Sequence, residues 1–422
     1  MTSNGSWSRL SFTVDSRWAM VCLAVAVLLL RVAPCVAQVT GTVQIPENVP
    51  PDSPIQLGPL YLTPTFALRD IGVDNNVFND DVQESDFTVT PSVQIAGVTL
   101  FGPMRFTGRL NTDYVWFQKF RSERSFNNTV DLRFEGFFDR LHPWATGEFV
   151  RTRARQGLEI DVRAQRTAPT IGAGLEWVVG SRTSLAVSSR LARIRYAGNE
   201  QFQGANLSEQ LDSTTRTYGA GMRFELTPLT MLLVDGEYTT ARFTGESVRN
   251  NNAWSVMPRL VFQPDAFISG ELMVGFKTLT PTSPALEGFE GVVTQGNLTV
   301  SLLDVTQFRI EVERNTEYSF DPLHPYYVQT GATVTITQQI GGPFDVEVSL
   351  GRYELAYRDL SDPAFGPRGT EQLTTGTVGV GYRLGETFRV DINGQLEKRR
   401  SIFRRDREYD RIIYYGTLAY LL

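Results

Sequence analysis

The chain has 422 residues, a formal charge of −6, 41% hydrophobic and 20% charged residues, and only two His and two Cys. An acidic balance argues against nucleic acid as a partner, and the hydrophobic share falls short of a multi-span helical protein. Plentiful Gly, Thr, Phe and Tyr suit strands with one wet and one apolar face, and a single large barrel accommodates such a length in one sheet.

Arg9 and Arg17 precede an uninterrupted apolar run, Trp18 to Leu30, followed by Arg31, Val32, Ala33, Pro34, Cys35, Val36 and Ala37. Thirteen apolar residues are too few to span the hydrocarbon of a bilayer comfortably as a helix. The pattern predicts a secretory signal peptide over residues 1–37, with cleavage before Gln38. A lipoprotein acylated at Cys35, for which Pro34 is an awkward neighbour, and an uncleaved anchor are the competing readings. Both cysteines, Cys22 and Cys35, fall in the leader, so the mature chain is expected to carry no thiol, as suits an oxidising periplasm. Losing the leader's three Arg and one Asp takes the charge to −8. Residues 38–58 contain Pro46, Pro50, Pro51 and Pro54 and no apolar period, and read as a flexible periplasmic segment that either trails free or enters the lumen.

From residue 59 to residue 422 the dominant signal is period two. Val130, Leu132, Phe134 and Phe138 alternate with Asp131, Arg133 and Glu135; Phe308, Ile310 and Val312 alternate with Arg309, Glu311 and Glu313; Phe388, Val390, Ile392 and Leu396 alternate with Arg389, Asp391, Asn393 and Glu397. A soluble β-sandwich shows the same alternation, but the connections discriminate. Tight turns at 141–143, 180–182, 228–229, 263–265, 341–343 and 385–386 alternate with longer polar loops at 198–212, 244–252, 279–288, 319–325, 359–371 and 402–409. Short turns on one rim and long loops on the other describe an antiparallel outer-membrane barrel whose tight rim faces the periplasm of a Gram-negative bacterium. Strands at 59–69 and 86–99 open a count of eighteen that closes with residues 410–422, or sixteen if one weak hairpin is misread. Phe101, Trp144, Phe267, Phe344 and Phe388 near tight turns, and Trp116, Phe117, Tyr196, Trp254, Tyr353, Tyr357 and Tyr414 toward long loops, are candidates for two interfacial girdles. The final strand, ending on Leu422 where most such strands end on Phe, resembles the signal read by the outer-membrane assembly machinery.

Near the start, Leu60, Tyr61, Leu62, Thr63, Pro64 and Phe66 lead into Gly72, Val73, Asp74, Asn75, Asn76, Val77 and Phe78. A strand with an internal Pro followed by this turn resembles the outer-membrane β-barrel porin family associated with exopolysaccharide production. The resemblance implies an outer-membrane barrel serving polysaccharide export, with an anionic polysaccharide as partner and no catalytic residues to carry over. Asp74, Asn75 and Asn76 read as turn formers in preference to a calcium or glycan site.

A barrel this wide holds an aqueous channel unless loops or the N-terminal segment fill it. Arg151, Arg153 and Arg155 recur at every second residue, and Arg190, Arg193, Arg195, Lys398, Arg399 and Arg400 fall toward the same rim, so they are candidates for an anion-attracting channel mouth. Ion pairing to lumen carboxylates such as Glu148 or Asp391, or contact with lipopolysaccharide phosphates outside the barrel, are the duller alternatives. The leading functional expectation is a porin-like channel; the second is a structural or adhesion barrel with a closed lumen that binds surface polysaccharide. A lipid-modifying enzyme is disfavoured, because the chain offers only His142, in a predicted turn, and His324, beside Asp321, for general-base work. No spacing of His, Cys or Gly predicts a metal or nucleotide cofactor.

Overall fold

The computed structural model describes residues 53–264, 267–303, 305–360, 369–402 and 404–421. In chain order the long strands are β1 Leu60–Asp74, β2 Asp86–Phe101, β3 Met104–Phe117, β4 Ser125–Gly136, β5 Leu141–Thr152, β6 Arg166–Gly180, β7 Thr183–Tyr196, β8 Ser213–Thr227 and β9 Thr230–Phe243. They continue as β10 Asn251–Phe262, β11 Ile268–Pro281, β12 Phe289–Leu302, β13 Thr306–Tyr318, β14 Tyr326–Gly341, β15 Phe344–Arg358, β16 Thr370–Leu384, β17 Phe388–Ser401 and β18 Tyr409–Leu421. Each pairs antiparallel with the next, and β1 closes on β18, with Thr65–Leu68 opposite Leu421–Leu418. The barrel therefore has eighteen strands, the larger of the two counts expected from turn spacing. The expected leader and most of the 38–58 segment lie outside the described residues. The last part of that segment is not loose: Ile55–Leu57 pairs with Leu60–Leu62 and covers the stretch of β1 that extends past the end of β18.

Strands run longer than the roughly ten residues that cross the hydrocarbon, so their ends stand clear of it on the long-loop side. Alternation sorts the side chains. On β17, Ile392 is 69% exposed on the outside while Asp391 points inward and pairs with Arg389 at 2.7 Å. An outer surface carrying Leu350, Val378, Val256 and Ile171 in the same exposed state suits lipid and would aggregate in water. Trp254 and Tyr414 stand outward at the long-loop end, as a girdle requires. Phe117, Tyr196, Tyr353 and Tyr357 do not: strand parity turns them inward, with Phe117, Tyr196 and Tyr357 buried, so that part of the expected girdle is corrected.

The seam between β1 and β18 explains the Gly-Val-Asp-Asn-Asn motif. A bulge between Arg69 and Gly72, with Asp70 at φ 53°, re-phases β1 so that Ile71 and Val73 face outward; alternation fails there, which is why the sequence ends the first strand at residue 69. Beyond the bulge, Asp74 receives Arg411 of β18 at 2.6 and 3.0 Å, and its Oδ1 also accepts the Asn76 amide at 3.1 Å. Asn75 accepts the Ile412 amide at 2.6 Å, and Asn76 donates to the Asp80 and Asp410 carbonyls at 2.7 and 3.1 Å. The three residues are turn formers, as expected, and they also clasp the first strand to the last. Gly72 lets the strands approach: a Cβ there would fall 1.8 Å from the Tyr414 carbonyl oxygen. Replacing Gly72 with Val is expected to cost about 3 kcal/mol or more through overpacking against backbone. The check is the temperature at which the folded, fast-migrating band is lost on an SDS gel, which should fall well below that of the parent.

Candidate functional site

The inward face is built from charged residues of both signs. Arg389 is held by Asp345 at 2.8 and 2.9 Å, Arg105 by Glu135 at 2.6 Å, and Arg69 by Asp113 at 2.8 Å. Strands place these groups on the lumen side because each sits one residue from a lipid-facing apolar neighbour.

At the long-loop end the lumen is filled from above. The loop 153–165, between β5 and β6, turns inward, and its stretch Leu158–Asp161 is clamped against the wall by two arginines whose side chains are 1% exposed. Arg399 of β17 binds Glu371 of β16 at 2.5 Å, Asp161 at 3.1 Å and the Leu158 carbonyl. Arg407, from the loop after β17, binds Glu371 at 3.0 Å, Asp161 at 3.3 Å, the Tyr357 hydroxyl at 3.2 Å and the Glu159 carbonyl. Buried cations are tolerated only when paired, and here two guanidinium forks share two carboxylates and two loop carbonyls. Glu159 accepts the Ser319 hydroxyl at 2.6 Å and the Phe320 amide at 3.3 Å, which ties the same loop to the loop after β13; burial raises its carboxyl above the ordinary range against the pull of Arg407. Arg249 of the 244–250 loop adds bonds to the Ser319 and Asp321 carbonyls at 3.1 and 2.8 Å.

Apolar packing completes this plug. Ile160 and Ala164 join Phe202, Leu207 and Leu211 of the 197–212 loop and Phe320 in one buried cluster, over which Arg404 and Arg407 lie at 5.4 and 5.5 Å from the Phe320 ring. Asn206 caps the single helical turn Leu207–Leu211 that delivers two of those side chains.

Below the loop tip, a cavity of about 360 Å³ is bounded by Leu158 and Ile160 above and by Glu313, Glu317, Tyr327, Gln329 and Tyr353 on β13, β14 and β15. Gly331 sits beneath the Tyr353 ring, 2.0 Å from where a Cβ would stand, and the Tyr353 hydroxyl is 2.7 Å from Thr333 Oγ1, so the ring lies flat on the wall. An adjoining space of similar size shares Glu313 and Glu317 and adds Glu237 and Lys277. A small polar solute that passes the loops meets carboxylates, hydroxyls and amides here.

The sequence candidates separate. Arg190 faces inward and shares the wall with Glu148. Arg153 and Arg155 are not on a strand with Arg151, because β5 ends at Thr152. Arg153 instead binds the Arg163 carbonyl at 3.0 Å and the Ser122 carbonyl, and Arg155 binds the Val77 carbonyl at 2.6 Å and the Asp161 carbonyl, so both brace loops. Arg151, Arg195, Lys398 and Arg400 stand at the expected rim but on the outward face, in step with Phe149, Leu191 and Leu396; the expectation that they line a channel mouth is corrected by strand parity. Arg400 and Lys398 meet Asp410 outside the barrel, at 2.8 and 3.7 Å. Arg399, lying between them, is the member of that run that reaches the lumen. Glu159, Asp161, Glu371 and Arg407 carry no periodic signal, because a buried charge looks like any other in sequence. His142 is a strand residue, edge-on to Phe137 at 5.5 Å. His324 places Nδ1 2.7 Å from Asp321 and Nε2 3.2 Å from Asp359, so both ring nitrogens are engaged by carboxylates and neither is turned toward a nucleophile.

Two expectations follow. Glu371→Gln removes the carboxylate shared by Arg399 and Arg407, a loss of about 3–5 kcal/mol for a broken buried pair, and frees the 153–165 loop. Trypsin should then cut the folded variant at Arg155 or Arg163 while leaving the parent intact. The second concerns acid. Burial lowers the His324 pKa below its ordinary 6.5, with Asp359 pulling the other way. Its contribution is fully present above 6.5 and is lost as pH falls from there toward the lower folded value. Glu159 acts in the opposite sense, so the His324 share is read as the difference between parent and His324→Gln in protease protection across that range; identical profiles would count against it.

The family model described as Putative beta-barrel porin 2 matches residues 55–418. No curated protein matches the sequence. Among solved structures, the Pseudomonas aeruginosa outer membrane protein OpdK is similar at 11% identity and a TM-score of 0.47, over 86% of this chain and 98% of that one. OprD of the same organism is similar at 9% and 0.45, over 86% and 95%, and its siderophore receptor PirA at 9% and 0.41, over 86% and 80%.

Proposed function

Because the chain belongs to the Putative beta-barrel porin 2 family, and is thus a porin-like barrel of the Gram-negative outer membrane, we propose that it lets small polar solutes diffuse across that membrane by a route narrowed at its outer end. The observation that carries this reading is the clamped 153–165 loop above a lumen of charged and hydroxyl groups: a narrowing at the mouth, with polar space beneath it. Neither the family match nor the packed loops support export of an intact polysaccharide, which would require the plug to leave. A closed, structural barrel is the second reading, and the buried Glu371–Arg399–Arg407 cluster together with the apolar cluster around Phe320 favours it.

Planar-bilayer recording separates the two. A channel is expected to give discrete steps for the parent protein and larger steps for Glu371→Gln; silence from both proteins would establish the closed barrel and refute the channel.

A further inference from the structure

Three neighbouring strands carry an unusual outward face at the long-loop end. On β7 the outward residues above Leu191 are Arg193 and Arg195; on β8 they are Arg216 and then Thr214; on β9 they are Thr240 and then Arg242. Register brings them together. Thr214 is opposite both Arg193 and Arg242, and Arg216 lies two residues along from Thr214. At ordinary strand spacings Arg193, Arg216 and Arg242 fall within about 10 Å of one another, and Arg195 stands two residues beyond Arg193 on β7.

The charge of this patch is not cancelled on the protein. Among the described residues Arg193 and Arg216 have no ion pair or hydrogen bond, and both are exposed. Arg242 spends its donors on the Ala241 and Asn251 carbonyls and on Asn252, all neutral. Only Arg195 has a carboxylate, Asp212 at 3.4 Å, and it remains 46% exposed. No outward position of β7, β8 or β9 is acidic. The contrast with the other basic stretch of the rim is direct: there Asp410 takes Arg400 at 2.8 and 3.0 Å and lies near Lys398.

Depth is fixed by what lies immediately below. Tyr218, Tyr238 and Trp254 occupy the next outward positions, with Tyr238 and Trp254 4.5 Å apart, and Trp254 is 64% exposed. Such aromatics settle at the boundary of the hydrocarbon, so the arginines one step further out stand at the level of the headgroups of the outer leaflet. Guanidinium groups bind phosphate with two parallel N–H donors, and clusters of them beside a bilayer recognise anionic lipid.

We propose that Arg193, Arg195, Arg216 and Arg242 form a binding site for the phosphorylated headgroup of an outer-leaflet glycolipid. The site is on the outer wall and independent of whether the lumen conducts. Its position predicts one preferred lipid contact on the barrel circumference, at β7–β9.

The test uses the folded full-length protein in neutral detergent, titrated with bis-phosphorylated lipid A and read by native mass spectrometry. Arg193→Gln with Arg216→Gln should weaken retention about ten-fold or more, while Lys398→Gln with Arg400→Gln should leave it unchanged. Parent protein should also hold dephosphorylated lipid A about ten-fold less well than the phosphorylated form. Equal retention of the two lipids by the parent, or equal loss in both double variants, would overturn the proposal, since acyl-chain contact or general charge would then account for binding.

Discussion

Every peptide group that lies in hydrocarbon must find its partner within the sheet, and in this chain that requirement is met by joining the first strand to the last. The closure is where the design is most exacting. Seventeen of the eighteen pairings join sequence neighbours through a turn or loop, whereas β1 and β18 come from opposite ends of the chain and must find each other at long loop-closure cost. Specific chemistry is concentrated there: Asp74 receives Arg411, Asn75 and Asn76 bond across to β18, and Gly72 permits the approach. The Ile55–Leu57 hairpin then covers what remains of the edge of β1.

Closure inverts the usual polarity of a protein. Apolar residues face out, so the interior must be filled with polar groups, loops or water. Near the short turns and mid-wall the filling is paired charge such as Arg389 with Asp345 and Asp391. At the long-loop end it is backbone, folded in and held by Glu371, Arg399 and Arg407. A hydrophobic plug would have served packing equally well, but a buried ionic clamp carries directional bonds and places the Leu158–Asp161 stretch at one position on the wall. That position sets the width of any route and the shape of the space beneath.

The alternation was legible because one side of each strand contacts lipid and the other contacts water, so each strand announces its own faces. Phe388 to Leu396 gives both the strand and its orientation without any knowledge of its neighbours. The basic residues of the rim were harder. Arg151, Arg153 and Arg155 share a parity on paper, yet β5 stops at Thr152, and the last two follow the loop inward. Lys398 and Arg400 have the parity of Leu396 and so belong to the outer wall, a conclusion available from the pattern once each residue is referred to its strand rather than to its rim. The bulge at Asp70 hid the second half of β1 for a related reason, since one added residue reverses every face beyond it.

By itself the sequence determined an antiparallel barrel of sixteen or eighteen strands, its two unlike rims and the apolar band between them, because these follow from local period and turn length. Only the tertiary structure decided which loops enter the lumen and what holds them. Glu159, Glu371 and Arg407 are separated by up to 248 residues, and a buried ion pair leaves no trace in local pattern, since its energy depends on partners that closure alone brings within bonding distance.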